Sequence, residues 1–292
     1  MTMRVEECSQ AILQHLLPKI DRNREGLCID VGVGTFAFYC AMFAQSGYES
    51  IAVEPLPTQE LVRLCRVLHI ELMKVCVSDR NGTDFIYIGR YNDSENLNLS
   101  SLRSDWWGAS SREVQVRTTT LDSLLADMNA RRITCLKLDV EGVEAVIIQQ
   151  LRQTPVSLLP AVVVFEYGGG CTRQDGKAAW NEAGIEGALS CFRILKDLKY
   201  RTTILVDSSP ESNERVIDLA EVNILPDDLF HPRSIYGNAI CVSDRVADAA
   251  WIEDVCSRYR DNDAEPPKPL PTMGRLALFT WRLRRGMRGR WR

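Results

Sequence analysis

The residues of this chain best suited to chemistry lie in Lys137-Leu138-Asp139-Val140-Glu141-Gly142. The apolar run from Ile133 precedes this cluster, and the helix-period run Val143–Gln153 follows it. Charge at the end of a buried strand is costly unless it is paired or used. In open α/β sheets, ligands bind beyond the carboxyl ends of the strands. Asp139 is therefore the first candidate for contacting a substrate or taking a proton. Glu141 comes second, and Glu166, which ends a later apolar run, is a further candidate. Lys137 can pair with one of these acids and keep it ionised. The plainer alternative is that Asp139 caps the following helix, while Glu141 and Glu144 suit its positive end. His231, in Leu229-Phe230-His231-Pro232, is a candidate base because imidazole titrates near neutral pH. His15 and His69 read as structural.

A second set of acids marks other strand ends. Asp30 closes an apolar run and leads into Gly32-Val33-Gly34-Thr35. Glycines allow a sharp turn and close approach of a ligand, and the helix beyond presents free N–H groups. Glu54 closes the next run, where a carboxylate can accept hydrogen bonds from a ribose diol. Ser78-Asp79 closes the third, where an adenine would lie if the strand order reverses beside the first. Each signal alone is weak, but their order along the chain is stronger. A dinucleotide fingerprint needs a third glycine, and Ala37 stands there. An acid before the glycines instead suits the amino group of a methionine-like moiety, as in S-adenosylmethionine.

These residues need a scaffold. Residues 5–20 read as an amphipathic helix, and strands are expected at 27–31, 50–53, 71–77 and 84–88. Further strands follow at 133–138, 161–165, 201–206 and 238–242, with helices at 36–45, 58–68, 121–129, 143–153 and 185–198. Residues 90–113 read as a polar loop carrying Trp106 and Trp107. Those two, with Trp180, are candidates for stacking on a sugar or polyketide face, or for plugging the edge of the core. Strand and helix alternate, which argues for a mostly parallel sheet with helices on both faces. The expected organisation is a domain over 1–260, with a core about 25–245 and a packing helix about 244–259. A proline-rich linker follows at 261–272, and then a tail at 273–292.

Composition limits the alternatives. The chain has 292 residues, 45% hydrophobic and 25% charged, as in ordinary globular proteins. No apolar run reaches the length of a membrane span, and the N-terminus lacks the apolar core of a signal peptide. The ten cysteines form no C-x-x-C pair, and several sit inside apolar runs, as in a reduced cytoplasmic protein. From Pro266 onward there are Lys268 and seven arginines but no acid, leaving 27 basic against 39 acidic residues in the rest. An acidic body argues against nucleic acid as its partner.

The segments IDVGVGT, IAVEP, VCVSDRNGTDFIYI, VRTTTLDSLL, LKLDVEGVEAVII and VVVFEY, in this order, resemble the FkbM-type methyltransferases over roughly residues 25–206. The TLDSLL…LKLDVEG…FEY succession is the specific part. The resemblance implies an α/β, Rossmann-like class I methyltransferase fold, S-adenosylmethionine as cofactor, and O-methylation of natural products or of sugars in glycans and glycolipids. It also implies that Asp30, Gly32 and Gly34 hold the methionine end, Glu54 the ribose and Ser78-Asp79 the adenine. The family's turn usually reads G-A-N-x-G, whereas this chain has Gly32-Val33-Gly34-Thr35-Phe36. No metal is assigned.

The expected function is transfer of methyl to a sugar hydroxyl of a glycan or glycolipid. The alternatives are a polyketide-type acceptor, an NAD-dependent oxidoreductase, or a non-catalytic membrane-associated module. In the tail, Leu276, Phe279, Leu283 and Met287 recur at helical spacing among arginines. Such a basic amphipathic helix suits peripheral contact with the inner face of a membrane, or docking on the acidic body.

Overall fold

The computed structural model describes residues 3–35, 37–209, 211, 214–244, 246 and 250–260. Phe36 of the glycine turn, the linker 261–272 and the basic tail 273–292 lie outside the described residues.

The main sheet has eight strands. In chain order they are β1 (Leu27–Val31), β2 (Glu49–Val53), β3 (Glu71–Met73), β8 (Ile133–Leu138), β9 (Val162–Gly168), β10 (Thr202–Asp207), β11 (Glu214–Asp218) and β12 (Tyr236–Val242). Their spatial order is β11-β10-β12-β9-β8-β1-β2-β3. The run from β9 to β3 is parallel, while β12, β10 and β11 pair antiparallel. The order reverses between β1 and β8, the position at which α/β sheets open a crevice for ligands. Four further strands form a separate sheet: β4 (Cys76–Val77), β5 (Gly82–Tyr91), β6 (Ser94–Glu95) and β7 (Ala109–Thr119).

The helices cover both faces. Along β1, Leu27, Ile29 and Val31 join one core, shared with α4 (Leu121–Asp127), α5 (Glu144–Gln150) and α6 (Glu182–Asp197). Cys28 joins the opposite core, shared with α1 (Val5–Ile20), α2 (Phe38–Gln45) and α8 (Ala250–Ser257). Helix α3 (Gln59–Leu68) packs on Cys40 of α2 and Ala52 of β2 through Leu61 and Cys65, and the short α7 (Pro226–Leu229) precedes β12. Because side chains alternate along a strand, Asp30, Lys137 and Glu166 project to the same face as α1 and α2. Asp30 and Lys137 are also cross-strand partners.

The structure departs from the expected elements in several places, with β11 and α7 falling where none was expected. The strand expected over 71–77 is broken, with β3 in the main sheet and β4 in the second one. The expected loop 90–113 contains β6 and the first part of β7, leaving an arm over 92–108 folded back toward the glycine turn. All ten cysteines are free, and among the described residues no helix is long and apolar enough to cross a membrane.

Candidate active site

A cavity of about 300 Å³ opens beyond the carboxyl ends of β1, β2, β8 and β9. Its wall includes Asp30, Gly32, Gly34, Glu54, Asp139, Glu141 and Glu166, so the fold gathers most of the sequence-predicted site residues at one place.

The glycine turn is built by backbone constraints. Gly32 has φ 78°, and a Cβ there would lie 1.7 Å from the Asp139 carbonyl oxygen. No side chain fits between β1 and the loop after β8. Gly34 has φ 61°, and its N–H donates to Glu54 at 2.9 Å. The other Glu54 oxygen accepts from the Leu56 N–H at 2.9 Å. Burial, opposed by these two bonds, raises the Glu54 pKa above the ordinary value. Asn98, from the arm, covers the turn by accepting from the Thr35 N–H and hydroxyl at 2.9 and 3.0 Å.

Asp30 is 2% exposed. Its Oδ2 accepts from the Cys40 N–H at 3.0 Å, while its Oδ1 is buried without a partner. Burial pushes its pKa up to about 6, although nearby Lys137 pulls the other way. An orphaned buried acceptor on a cavity wall is a place for a cationic donor.

Lys137 is 2% exposed and bonds Asp139 at 2.7 Å, with its ammonium 4.9 Å from the Tyr39 ring centre. Burial works against its charge, but Asp139, Asp30 and Glu6 outweigh burial and raise its pKa. Asp139 does not cap the next helix, whose N-cap is Val143 with no side-chain cap.

Glu141 sits at φ 54° in the left-handed region, followed by Gly142 at φ 95°. Its Oε2 accepts from the Trp106 indole N–H at 2.6 Å. Its other oxygen has no partner among the described residues. Burial and then Asp139 raise its pKa well above the usual range. Glu144 is more than a helix-end acid. Its two oxygens accept the N–H groups of Val140 and Gly142, both at 3.0 Å, and so clamp the loop. Burial raises its pKa to about 7.

The Glu166 side chain has no hydrogen bond or ion pair among the described residues, and its pKa is raised well above the ordinary value by burial, then by Asp139 and Glu141. A smaller cavity of about 40 Å³ lies on the other side of Asp139, Glu141 and Glu166, bounded by Trp106 and the small residues of α6.

Three predicted residues lie elsewhere. Ser78 and Asp79 do not line the cavity: Ser78 donates to Asp79 at 3.1 Å, and its carbonyl accepts from Gln150 at 2.9 Å. The neighbouring wall is apolar instead, made of Val75, Val77, Ile86, Leu97 and Leu99. His231 lines neither cavity. Its Nδ1 meets the Ser209 hydroxyl at 2.9 Å, beside Asp207. Trp180 is a core residue, edge-on to Tyr167 and Phe230.

Sequence reasoning missed Glu6, Tyr39, Asn98, Tyr236 and Asn238. Glu6 lines the cavity from α1 and accepts from the Tyr39 hydroxyl at 2.7 Å and from Asn238 Nδ2 at 3.0 Å. Burial, ahead of the opposing Lys137, raises its pKa. The only available signal was an acid on the polar face of an amphipathic helix.

The methyltransferase FkbM domain model matches residues 25–201. This chain belongs to the FkbM methyltransferase family. Its FkbM segment carries the glycine turn, the arm and the Asp139–Glu141 loop. Glu6, Tyr236 and Asn238 come from outside that segment. None of the curated proteins matches this FkbM chain. Among solved structures, a Klebsiella pneumoniae protein described as an O-methyltransferase is similar at 8% identity and a TM-score of 0.39, over 82% of this chain and 88% of that one.

Proposed function

We propose that this protein is an S-adenosylmethionine-dependent O-methyltransferase acting on a sugar hydroxyl of a glycan or glycolipid. The observation that carries this reading is the buried, unpartnered Oδ1 of Asp30, set between the glycine turn and the carboxylates of the next strand ends. Asp30 is placed to receive the cofactor's ammonium. Glu54, fixed by two N–H groups, has lone pairs left for the ribose hydroxyls, and the apolar wall of Val75, Val77, Leu97 and Leu99 suits the adenine. When bound, the cofactor supplies an electrophilic methyl group.

The chain's own residues do the rest. Lys137 holds the Asp139 carboxylate in place at 2.7 Å, so Asp139 orients the acceptor hydroxyl as a hydrogen-bond acceptor. Glu141 has one oxygen tied to Trp106 and the other open, and burial, by raising its pKa, makes its carboxylate a stronger acceptor for the hydroxyl proton. Glu166 and Glu6 offer acceptors for neighbouring hydroxyls, as a polyol requires.

The test is transfer of labelled methyl from S-adenosylmethionine into glycan and lipid extracts, with identification of the labelled product. A labelled polyketide-type product would redirect the acceptor assignment. Glu54→Ala should weaken cofactor binding by tenfold or more, since hydrogen bonds to a carboxylate contribute about 1.5–3 kcal/mol each. Unchanged affinity by calorimetry would remove the ribose assignment.

A further inference from the structure

We propose that Trp106 is a positioning residue for methyl transfer: its indole N–H holds the Glu141 carboxylate at the wall shared by the two cavities. The inference rests on Glu141 being the proton acceptor.

A left-handed non-glycine residue is strained and persists only where its surroundings hold it. At Glu141 the arm does the holding. The Ser101 hydroxyl donates to the Glu141 carbonyl at 2.6 Å, and the Trp106 indole donates to Glu141 Oε2 at 2.6 Å. The Trp106 ring covers Gly142 so closely that a Cβ there would lie 2.4 Å from it. Arg103 lies 5.9 Å from the centre of the same ring, and Asp105 ties it down at 2.9 Å. Main chain and carboxylate of Glu141 are thus gripped by one short stretch, while the other carboxylate oxygen is left open. The next residue supplies a contrast. Trp107 packs against Gly169 and Gly170, and its indole N–H is buried with no partner. Of two adjacent tryptophans, one donates to the acid and the other only fills space.

A donor and a plug are distinguished by variants. Trp106→Phe removes the N–H and keeps a ring, whereas Trp106→Gln removes the ring and keeps an N–H. Glu141 is followed by infrared titration of the full chain, using the carboxylic-acid band that Glu141→Gln abolishes. A hydrogen bond from the indole favours the ionised form, so losing it raises the midpoint, by about one pH unit or more. The expected order is Trp106→Phe shifted most, Trp106→Gln less, and Trp107→Phe not at all. With labelled S-adenosylmethionine and a glycan extract, Trp106→Phe should also lower the transfer rate about tenfold or more, with cofactor affinity within about twofold of the parent. A parental midpoint in Trp106→Phe, or a larger shift in Trp106→Gln than in Trp106→Phe, overturns the donor role. If the phenylalanine variant fails to fold, a parental midpoint in a folded Trp106→Ala chain is equally fatal. Full transfer by Glu141→Gln would instead defeat the proton-acceptor reading, which the midpoints do not test.

Discussion

On the glycine-turn side of the cavity, the acids are held by main chain. Glu54 rests on the N–H groups of Gly34 and Leu56, and Asp30 on that of Cys40. On the other side, the acids lining the cavity are held by side chains or by nothing. Asp139 rests on Lys137, Glu141 on Trp106, and Glu6 on Tyr39 and Asn238, while Glu166 is free among the described residues. Main-chain donors survive any side-chain substitution, so the first side keeps its geometry as the sequence around it varies. The second side is remade by changing one residue. A site with these two halves can keep one ligand constant and exchange the other.

The largest expected effect falls on the rigid half. Gly32→Ala must place a Cβ 1.7 Å from the Asp139 carbonyl oxygen at φ 78°, which forces the turn after β1 and the loop after β8 apart. The loss should be about 4 kcal/mol or more, in the range of severe core defects. Gly187→Ala is the control: nothing lies within 4 Å of its Cβ, and it sits inside α6, where alanine favours helix by about 1 kcal/mol. Equal urea midpoints for the two variants would remove the claim of rigidity.

Next comes the charge of Asp30. With its pKa pushed up to about 6, Asp30 loses its charge as pH falls through that value. A cationic ligand group then loses its partner, so affinity for S-adenosylmethionine should weaken below pH 6, approaching about tenfold per unit. Asp30→Asn should bind more weakly, with a flat profile. The ligand-free protein should show the opposite sign. A carboxyl whose folded pKa is raised binds its proton more tightly when folded. Its contribution to stability is therefore complete below about pH 4 and is lost as pH rises through about 6, roughly 3 kcal/mol in all. Calorimetric affinities that do not change between pH 8 and 5 would show that Asp30 does not meet the cation.

The loop between the halves should respond more mildly. Glu144→Gln leaves one acceptor for the two N–H groups of Val140 and Gly142. The expected cost is about 1–2 kcal/mol, with faster hydrogen exchange confined to those two amides. Unchanged exchange there would mean that the loop is held by the arm alone.

The same division explains what could be read from the sequence. Asp30, Gly32, Gly34 and Glu54 are legible as a group because strand, acid and glycine follow one another within a few residues, and local geometry sets where they lie. Asp139 and Glu141 are legible as a cluster, and so is Lys137 as a partner for one of them, but the partner of Glu141 is not. Lys137–Asp139 is a neighbouring pair, whereas Trp106 reaches Glu141 from an arm that reads only as polar loop. Glu6 and Asn238 meet across nearly the whole chain, and no spacing rule connects an acid on an amphipathic helix to an antiparallel strand. Ser78-Asp79 follows a strand that leaves the main sheet between Met73 and Cys76, and of that stretch it is Val75, Cys76 and Val77 that line the cavity.

The smallest effect concerns His231, whose candidacy rested on imidazole chemistry alone. Its Nδ1 meets the Ser209 hydroxyl at 2.9 Å and accepts from the Arg233 N–H at 3.2 Å, and it faces Asp207. Asp207 in turn accepts from the Tyr167 hydroxyl at 3.0 Å. Tyr167 points to the core shared with α6, whereas Glu166, its neighbour in β9, points to the α1 and α2 face. His231 itself lines neither cavity, and its network reaches the acids only at its far end, where Tyr167 shares the smaller cavity with Glu166. His231→Ala should change the rate of methyl transfer by less than about twofold and remove a hydrogen bond worth about 1 kcal/mol of stability. A large loss of rate with unchanged stability would move the catalytic boundary across β9 and undo the division into two halves.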